Sequence, residues 1–215
     1  MNALSLGAGS TAIVFAFASA YARAAAPPTG DVTRGAEVTT ACQACHGAHG
    51  EGVAATGGPR LAGQTAAYLV SQLEGYVSGK RTNPIMTAIA KTLDAQKQAD
   101  AAAFFAAQSP PFVAVDAKPT DAQLARGKLL VRVGDEKKQL QACANCHGPD
   151  GSGEPMATPY LAGQSAAYLA NAIREWKTGA RHSGQALMGT VASRLDDNDI
   201  AAVSAYLESL GQGGD

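Results

Sequence analysis

The sequence predicts an all-α protein built as two small helical domains in tandem. Three observations carry this: one unit recurs at a step of about a hundred residues, apolar residues fall at helical spacing with no long strand-like alternation, and a proline-rich break separates the two copies. The repeat is direct. Cys42 returns as Cys143, a step of 101, and "PRLAGQTAAYL" (59–69) returns as "PYLAGQSAAYL" (159–169), a step of 100. "YVSGKR" (76–81) returns as "WKTGAR" (176–181), and Met86 returns as Met188. The entry "TRGAEV" (33–38) matches "ARGKLL" (125–130), and "ADAAAFFAAQ" (99–108) matches "IAAVSAYLES" (200–209).

The elements follow in order. Residues 1–26 read as a secretory signal peptide: 4–20 hold no charge, and small residues follow at candidate cleavage sites after Ala20, Ala24 or Ala26. No Lys or Arg precedes the apolar run, and retention as a membrane anchor is the alternative reading; the run is short for a span of about 20 residues. The first domain is expected over 31–108 and the second over 121–212. Between them, 109–120 ("SPPFVAVDAKPT") carries three prolines and reads as a linker. Within each domain a first helix starts near Thr33 or Thr120 and leads into a cysteine motif. A glycine-rich loop follows, then a helix from Gln64 or Gln164 with Thr65 or Ser165 near its N-cap, ending at Gly79 or Gly179. A final helix closes each domain. In the second, Asp196 stands three residues before Asp199, and Ile200, Val203, Leu207 and Leu210 share one face.

Composition sets a problem. The 215 residues are 46% hydrophobic, but much of that is alanine, and aromatics are 6% with one Trp. Two small domains with such thin cores need something else to fill them. A net charge of −1 argues against a broad electrostatic grip on nucleic acid.

The strings "CQACH" (42–46) and "CANCH" (143–147) answer that problem. A disulfide-exchange motif needs a thioredoxin-like sheet, and no sheet is expected. Four cysteines sharing one zinc would leave each trailing histidine unexplained. C-x-x-C-H attachment of c-type haem uses every residue. Cys42 with Cys45, and Cys143 with Cys146, would each bond one haem as thioethers, and His46 and His147 would supply axial nitrogens. Two haems also consume all four cysteines and supply the missing apolar volume.

A sixth ligand must come from each half. Met86 lies 40 residues after His46 and Met188 lies 41 after His147, at matching places before the last helix. A methionine in an apolar stretch is ordinarily core filler, but repetition at this spacing favours ligation. Met156 has no counterpart and reads as loop packing. His49 and His182 also lack counterparts and read as surface residues. Arg81 and Arg181 either meet haem propionates or are solvated. Tyr76 and Trp176 pack on a haem edge or on neighbouring helices. Pro59 and Pro159 are placed to offer a carbonyl to the histidine's second N–H.

Together the two CxxCH motifs, "LAGQ" with "AAYL", the "GKR" turn and the methionine before "LDDNDIAAVSAYLESL" resemble the dihaem cytochrome c4 family, from about 31 to 210. The resemblance implies two cytochrome-c-like domains related by a pseudo-twofold, with haems near their interface, and axial pairs His46–Met86 and His147–Met188. It implies a periplasmic electron carrier without enzymatic activity. The implied partners are redox proteins: a cytochrome bc1-type donor, a terminal oxidase or a dehydrogenase, with peripheral membrane association as an option. One departure is "TLDAQKQADAAAFFAAQ" (92–108), a weaker copy of the closing helix. The alternative reading is the electron-transfer subunit of a larger dehydrogenase; a dihaem peroxidase ranks behind it, and it would need one haem with a displaceable sixth position.

Overall fold

The computed structural model describes residues 28–113, 118–153, 158–182 and 186–212. The segment 1–26 and Met156 lie outside the described residues. The first half holds α1 (Val32–Val38), α2 (Gln43–His46), α3 (Ala66–Val77), α4 (Pro84–Ala90) and α5 (Ala95–Ala106). The second holds α6 (Asp121–Arg132), α7 (Ala144–His147), α8 (Ala166–Thr178), α9 (Ala186–Ser193) and α10 (Asp197–Ser209). Between α6 and α7 a small antiparallel pair, β1 (Gly134–Asp135) and β2 (Leu140–Gln141), sets Gly134 opposite Gln141. It occupies residues without a counterpart in the first copy, so the repeat gave no sign of it.

Side-chain caps start the helices where small polar residues meet extended backbone. Asp31 accepts from the Arg34 N–H at 2.8 Å, and Thr120 with Gln123 closes a reciprocal capping box on α6. Thr65 and Ser165 are themselves the caps of α3 and α8, so those helices begin at Ala66 and Ala166. Gln64 and Gln164 stand just outside, free to reach elsewhere. Met86 and Met188 sit within α4 and α9 rather than in open loops. Pro84 opens α4 and Asn83 caps it by accepting from the Met86 N–H at 3.0 Å.

The first and last helices of each half pack together, α1 on α5 and α6 on α10. Gly35 and Gly127 mark the crossings: a Cβ there would run into the carbonyl of Asp100 or of Ala202. Each crossing is tied by a buried carboxylate. Asp100 takes Arg34 Nε and the Asp31 N–H at 2.8 and 2.7 Å, and Asp199 takes Arg126 Nε at 2.9 Å and also Lys138. Asp196 caps α10 by accepting from the Asp199 N–H at 2.9 Å, but the Asp199 carboxylate serves Arg126 instead of completing a capping box.

The departing copy over 92–108 still folds as α5, capped by Asp94, with Ala102 and Phe105 turned inward. The two cores differ in substance. In the second half Leu130, Val131, Ile200, Val203 and Leu207 are all at most 2% exposed. In the first, the buried apolar cluster among the described residues is Leu69, Ala102 and Phe105. The shortage of core that composition implied is therefore real, and it is sharper in the first half.

Candidate functional site

Each motif forms one short helical turn ended by a glycine with positive φ, Gly47 at 84° and Gly148 at 75°. The chain then folds back, so that the His46 carbonyl accepts from the Gly52 N–H at 2.8 Å and the His147 carbonyl from the Gly153 N–H at 2.6 Å. The glycine-rich loop thereby brings a proline carbonyl against each imidazole. His46 Nδ1 lies 2.9 Å from the Pro59 oxygen, and His147 Nδ1 lies 3.0 Å from the Pro159 oxygen. A carbonyl only accepts, so Nδ1 carries the proton and Nε2 keeps a free lone pair. Burial pushes both imidazoles below their usual pKa, against the opposing pull of the proline carbonyls. They stand neutral, in the form that can bind iron.

Each histidine faces its own apolar cavity. Cys42, Cys45, His46 and Met86 line one of about 220 Å³. Cys143, Cys146, His147 and Met188 line the other, of about 390 Å³. The cysteine pairs thus serve separate cavities and do not converge on a shared zinc position. Burial pushes the Cys42 thiol up and the Cys143 thiol to about 11, the reverse of the lowered pKa of a dithiol poised for exchange. His49 and His182 are exposed.

The two halves meet through a set of reciprocal contacts. The chain at Arg81 pairs antiparallel with the chain at Arg181, the Thr82 N–H donating to the Ala180 carbonyl at 3.1 Å and the His182 N–H to the Lys80 carbonyl at 2.8 Å. Neither arginine is solvated; they are 4% and 5% exposed. Arg81 donates to the Tyr168 hydroxyl at 3.2 Å, and Arg181 donates to the Tyr68 hydroxyl at 2.8 Å. The guanidiniums lie over the rings of Tyr76 and Trp176 at 4.9 and 4.8 Å. This reciprocity is the pseudo-twofold in side chains. It fails at two places: Arg81 is paired with Glu175 at 3.1 Å, while position 75 in the other half is a glycine, and both arginines donate to Gln72 Oε1, at 3.3 and 2.6 Å, while position 172 is an alanine.

Across the same interface Gln64 brackets the backbone of Tyr160, and Gln164 brackets that of Arg60. Sequence reasoning missed Tyr68, Gln72, Gln64 and Gln164 as interface groups. The repetition of Gln64 and Tyr68 as Gln164 and Tyr168 in "GQ[TS]AAYL" was visible, but nothing in it says that the string faces its own copy; Gln72, matched by Ala172, is not repeated at all.

The fit of each cavity to a haem rests on its donors. Two thiols and an imidazole Nε2 sit with a thioether on an apolar wall, as covalent attachment and axial ligation require. Arg181 also borders the larger cavity, and its buried Nε–H has no partner among the described residues, as a site for an anionic propionate edge would leave it.

The cytochrome c family model matches residues 32–125 and 135–211. The chain is 40% identical over 174 residues to a thiosulfate dehydrogenase electron acceptor of Stutzerimonas stutzeri (strain A1501), covering 80% of each. It is 37% identical over 184 residues to cytochrome c4 of Pseudomonas aeruginosa, covering 84% of this chain and 89% of the relative. The structure of reduced recombinant cytochrome c4 from Pseudomonas stutzeri superposes with a TM-score of 0.77 at 34% identity, over 85% of this chain and all (100%) of that one. The chain belongs to the dihaem cytochrome c4 family, carries two covalently bound haem c groups, and is an electron carrier rather than an enzyme.

Proposed function

We propose that this chain shuttles single electrons in the periplasm, with one iron held by His46 and Met86 and the other by His147 and Met188. The carrying observation is the pairing, in each of two apolar cavities, of a carbonyl-bonded neutral histidine with the methionine from the matching place in the repeat. When bound, each haem supplies one reversible one-electron exchange at its iron. Cys42 and Cys45 anchor the first group and Cys143 and Cys146 the second. The proline carbonyls hold the imidazole rings in orientation. The Met86 and Met188 sulfurs would supply the second protein ligand to each iron, which would keep small ligands away and favour a high potential. We assign the units to 31–108 and 121–212. Their connector, 109–120, is fastened where Arg60 donates to the Pro110 and Pro111 carbonyls at 2.7 and 3.0 Å and lies over Phe112.

The donor is a cytochrome bc1-type complex, and the acceptor a terminal oxidase. The likeness to a thiosulfate dehydrogenase electron acceptor favours a second reading, in which a sulfur-compound dehydrogenase is the direct donor. Stopped-flow reduction of the oxidised holoprotein by each candidate donor separates the two. The ligand assignment is tested by the weak near-infrared sulfur-to-iron band. Replacing Met86 or Met188 by alanine should each remove half of it and open one haem to carbon monoxide. A variant that keeps the full band loses that methionine as a ligand.

A further inference from the structure

The peptide group joining Pro59 to Arg60 is bonded on both sides. Its carbonyl accepts from His46 Nδ1–H at 2.9 Å, and its N–H donates to Oε1 of Gln164 at 3.0 Å. Gln164 belongs to the other domain, 104 residues along the chain. Its Nε2 returns to the Arg60 carbonyl at 2.9 Å, so both ends of the amide are used. The second domain repeats the arrangement with the roles exchanged. The Pro159 carbonyl accepts from His147 Nδ1–H at 3.0 Å, the Tyr160 N–H donates to Gln64 Oε1 at 3.0 Å, and Gln64 Nε2 donates to the Tyr160 carbonyl at 2.7 Å. Both glutamines are 6% exposed.

We propose that Gln164 is a positioning residue for the His46 side and Gln64 for the His147 side, each acting on the opposite domain through one shared peptide group. The proposal rests on the reading of His46 and His147 as axial ligands. Donating its N–H to a glutamine oxygen polarises the peptide and makes its carbonyl a better acceptor, because hydrogen bonds in series strengthen one another. A better acceptor at Nδ1–H makes the imidazole more basic at Nε2, which favours the ferric state and lowers the potential. The clamp needs an acceptor and a donor on one side chain at one reach, which glutamine supplies. A carboxylate would set a second acceptor against the Arg60 or Tyr160 carbonyl, and leucine offers neither group. The two acceptors are not equally free. Gln164 Oε1 also takes the Ser165 N–H at 3.0 Å, so it divides its capacity. Domain packing and haem potential are in this way one property: seating one domain tunes the other.

The test uses the two-haem holoprotein and the variants Gln164→Leu and Gln64→Leu. Each haem's potential is followed by NMR-monitored redox titration with resonances assigned by domain, and the histidine Nδ1–H proton is followed in the reduced form. Strengthening of about 10–30% on a charge-coupled bond worth about 1.5–3 kcal/mol corresponds to about a 1.3- to 4.5-fold change in the ferrous-to-ferric ratio at fixed potential. That is an upward shift of about 7–39 mV at 59 mV per tenfold. Gln164→Leu should move the first haem and its His46 proton and leave the second unchanged, and Gln64→Leu should do the reverse. Equal shifts in both haems, or a shift only in the variant's own domain, would mean that the glutamines merely hold the interface. So would unchanged potentials alongside faster exchange of the Arg60 or Tyr160 amide. If the leucine variants fail to mature, Gln164→Asn and Gln64→Asn withdraw the amide by one methylene and should give the same crossed pattern. A wild-type protein without histidine-ligand proton signals would instead sink the ligand assignment, leaving the geometry of the clamp as it is.

Discussion

Glu175→Gln tests one of the places where the pseudo-twofold fails. The wild-type carboxylate is 14% exposed and faces a guanidinium that is 4% exposed, with Oε2 3.1 and 3.3 Å from two nitrogens of Arg81. Removing one partner of such a buried pair costs about 3–5 kcal/mol, because the remaining charge stays out of water without compensation. Here the loss is smaller. A glutamine keeps an acceptor oxygen, and Arg81 retains the Tyr168 hydroxyl at 3.2 Å, Gln72 Oε1 at 3.3 Å and the Tyr76 ring at 4.9 Å. About 2–3 kcal/mol remains, roughly 30- to 150-fold in the unfolding equilibrium. Guanidinium or urea denaturation of the holoprotein, followed by far-ultraviolet and haem absorbance together, reads the change in midpoint. Urea series at low and high salt should give the same difference, since a buried pair is screened little. A change below about 0.5 kcal/mol, or one that vanishes in salt, would refute the reasoning and make the pair an exposed one in effect.

Gly35→Ala and Gly127→Ala should each destabilise by about 1–3 kcal/mol, since the new methyl meets the Asp100 or Ala202 carbonyl across a helix crossing; thermal melts of the holoprotein check this. The Arg34 guanidinium, above all, holds the Asp100 carboxyl near about 2, below its ordinary 3.8, with burial opposing and the Asp31 N–H assisting. The unfolded chain therefore binds the proton more readily, so this contribution is present above about pH 4 and is lost as pH falls through that window toward 2. Denaturation midpoints across pH 2 to 5 should slope less in Asp100→Asn than in the wild type, and parallel slopes would remove Asp100 from the account.

The tandem helical plan was legible because every signal was local or repeated: caps at Thr65 and Ser165, prolines at 110 and 111, and the hundred-residue step itself. That Cys42, Cys45 and His46 line one cavity, and Cys143, Cys146 and His147 another, was legible because each set is one contiguous motif. The proline carbonyls behind His46 and His147 were placed by sequence as candidate acceptors, and the folded chain shows both contacts. The rest depended on what faces what. Arg81 and Arg181 read as propionate-bound or, nearly as well, as solvated, and only the folded chain shows them buried against tyrosines of the opposite half. Gln64 and Gln164 read as helix starts, because a residue just before an N-cap carries no local mark of a partner 96 or 104 residues away. The β1–β2 pair lay in an insertion that the repeat does not cover.

The most direct test of the central claim is a coulometric titration of the matured holoprotein with optical detection, repeated under carbon monoxide. Two closed one-electron centres predict two electrons per chain, full retention of the sulfur-to-iron band in the oxidised form, and a ferrous spectrum that carbon monoxide leaves unchanged. One haem that binds carbon monoxide readily, with half the band missing, would contradict the claim and turn the reading toward a ligand-binding or peroxidase site.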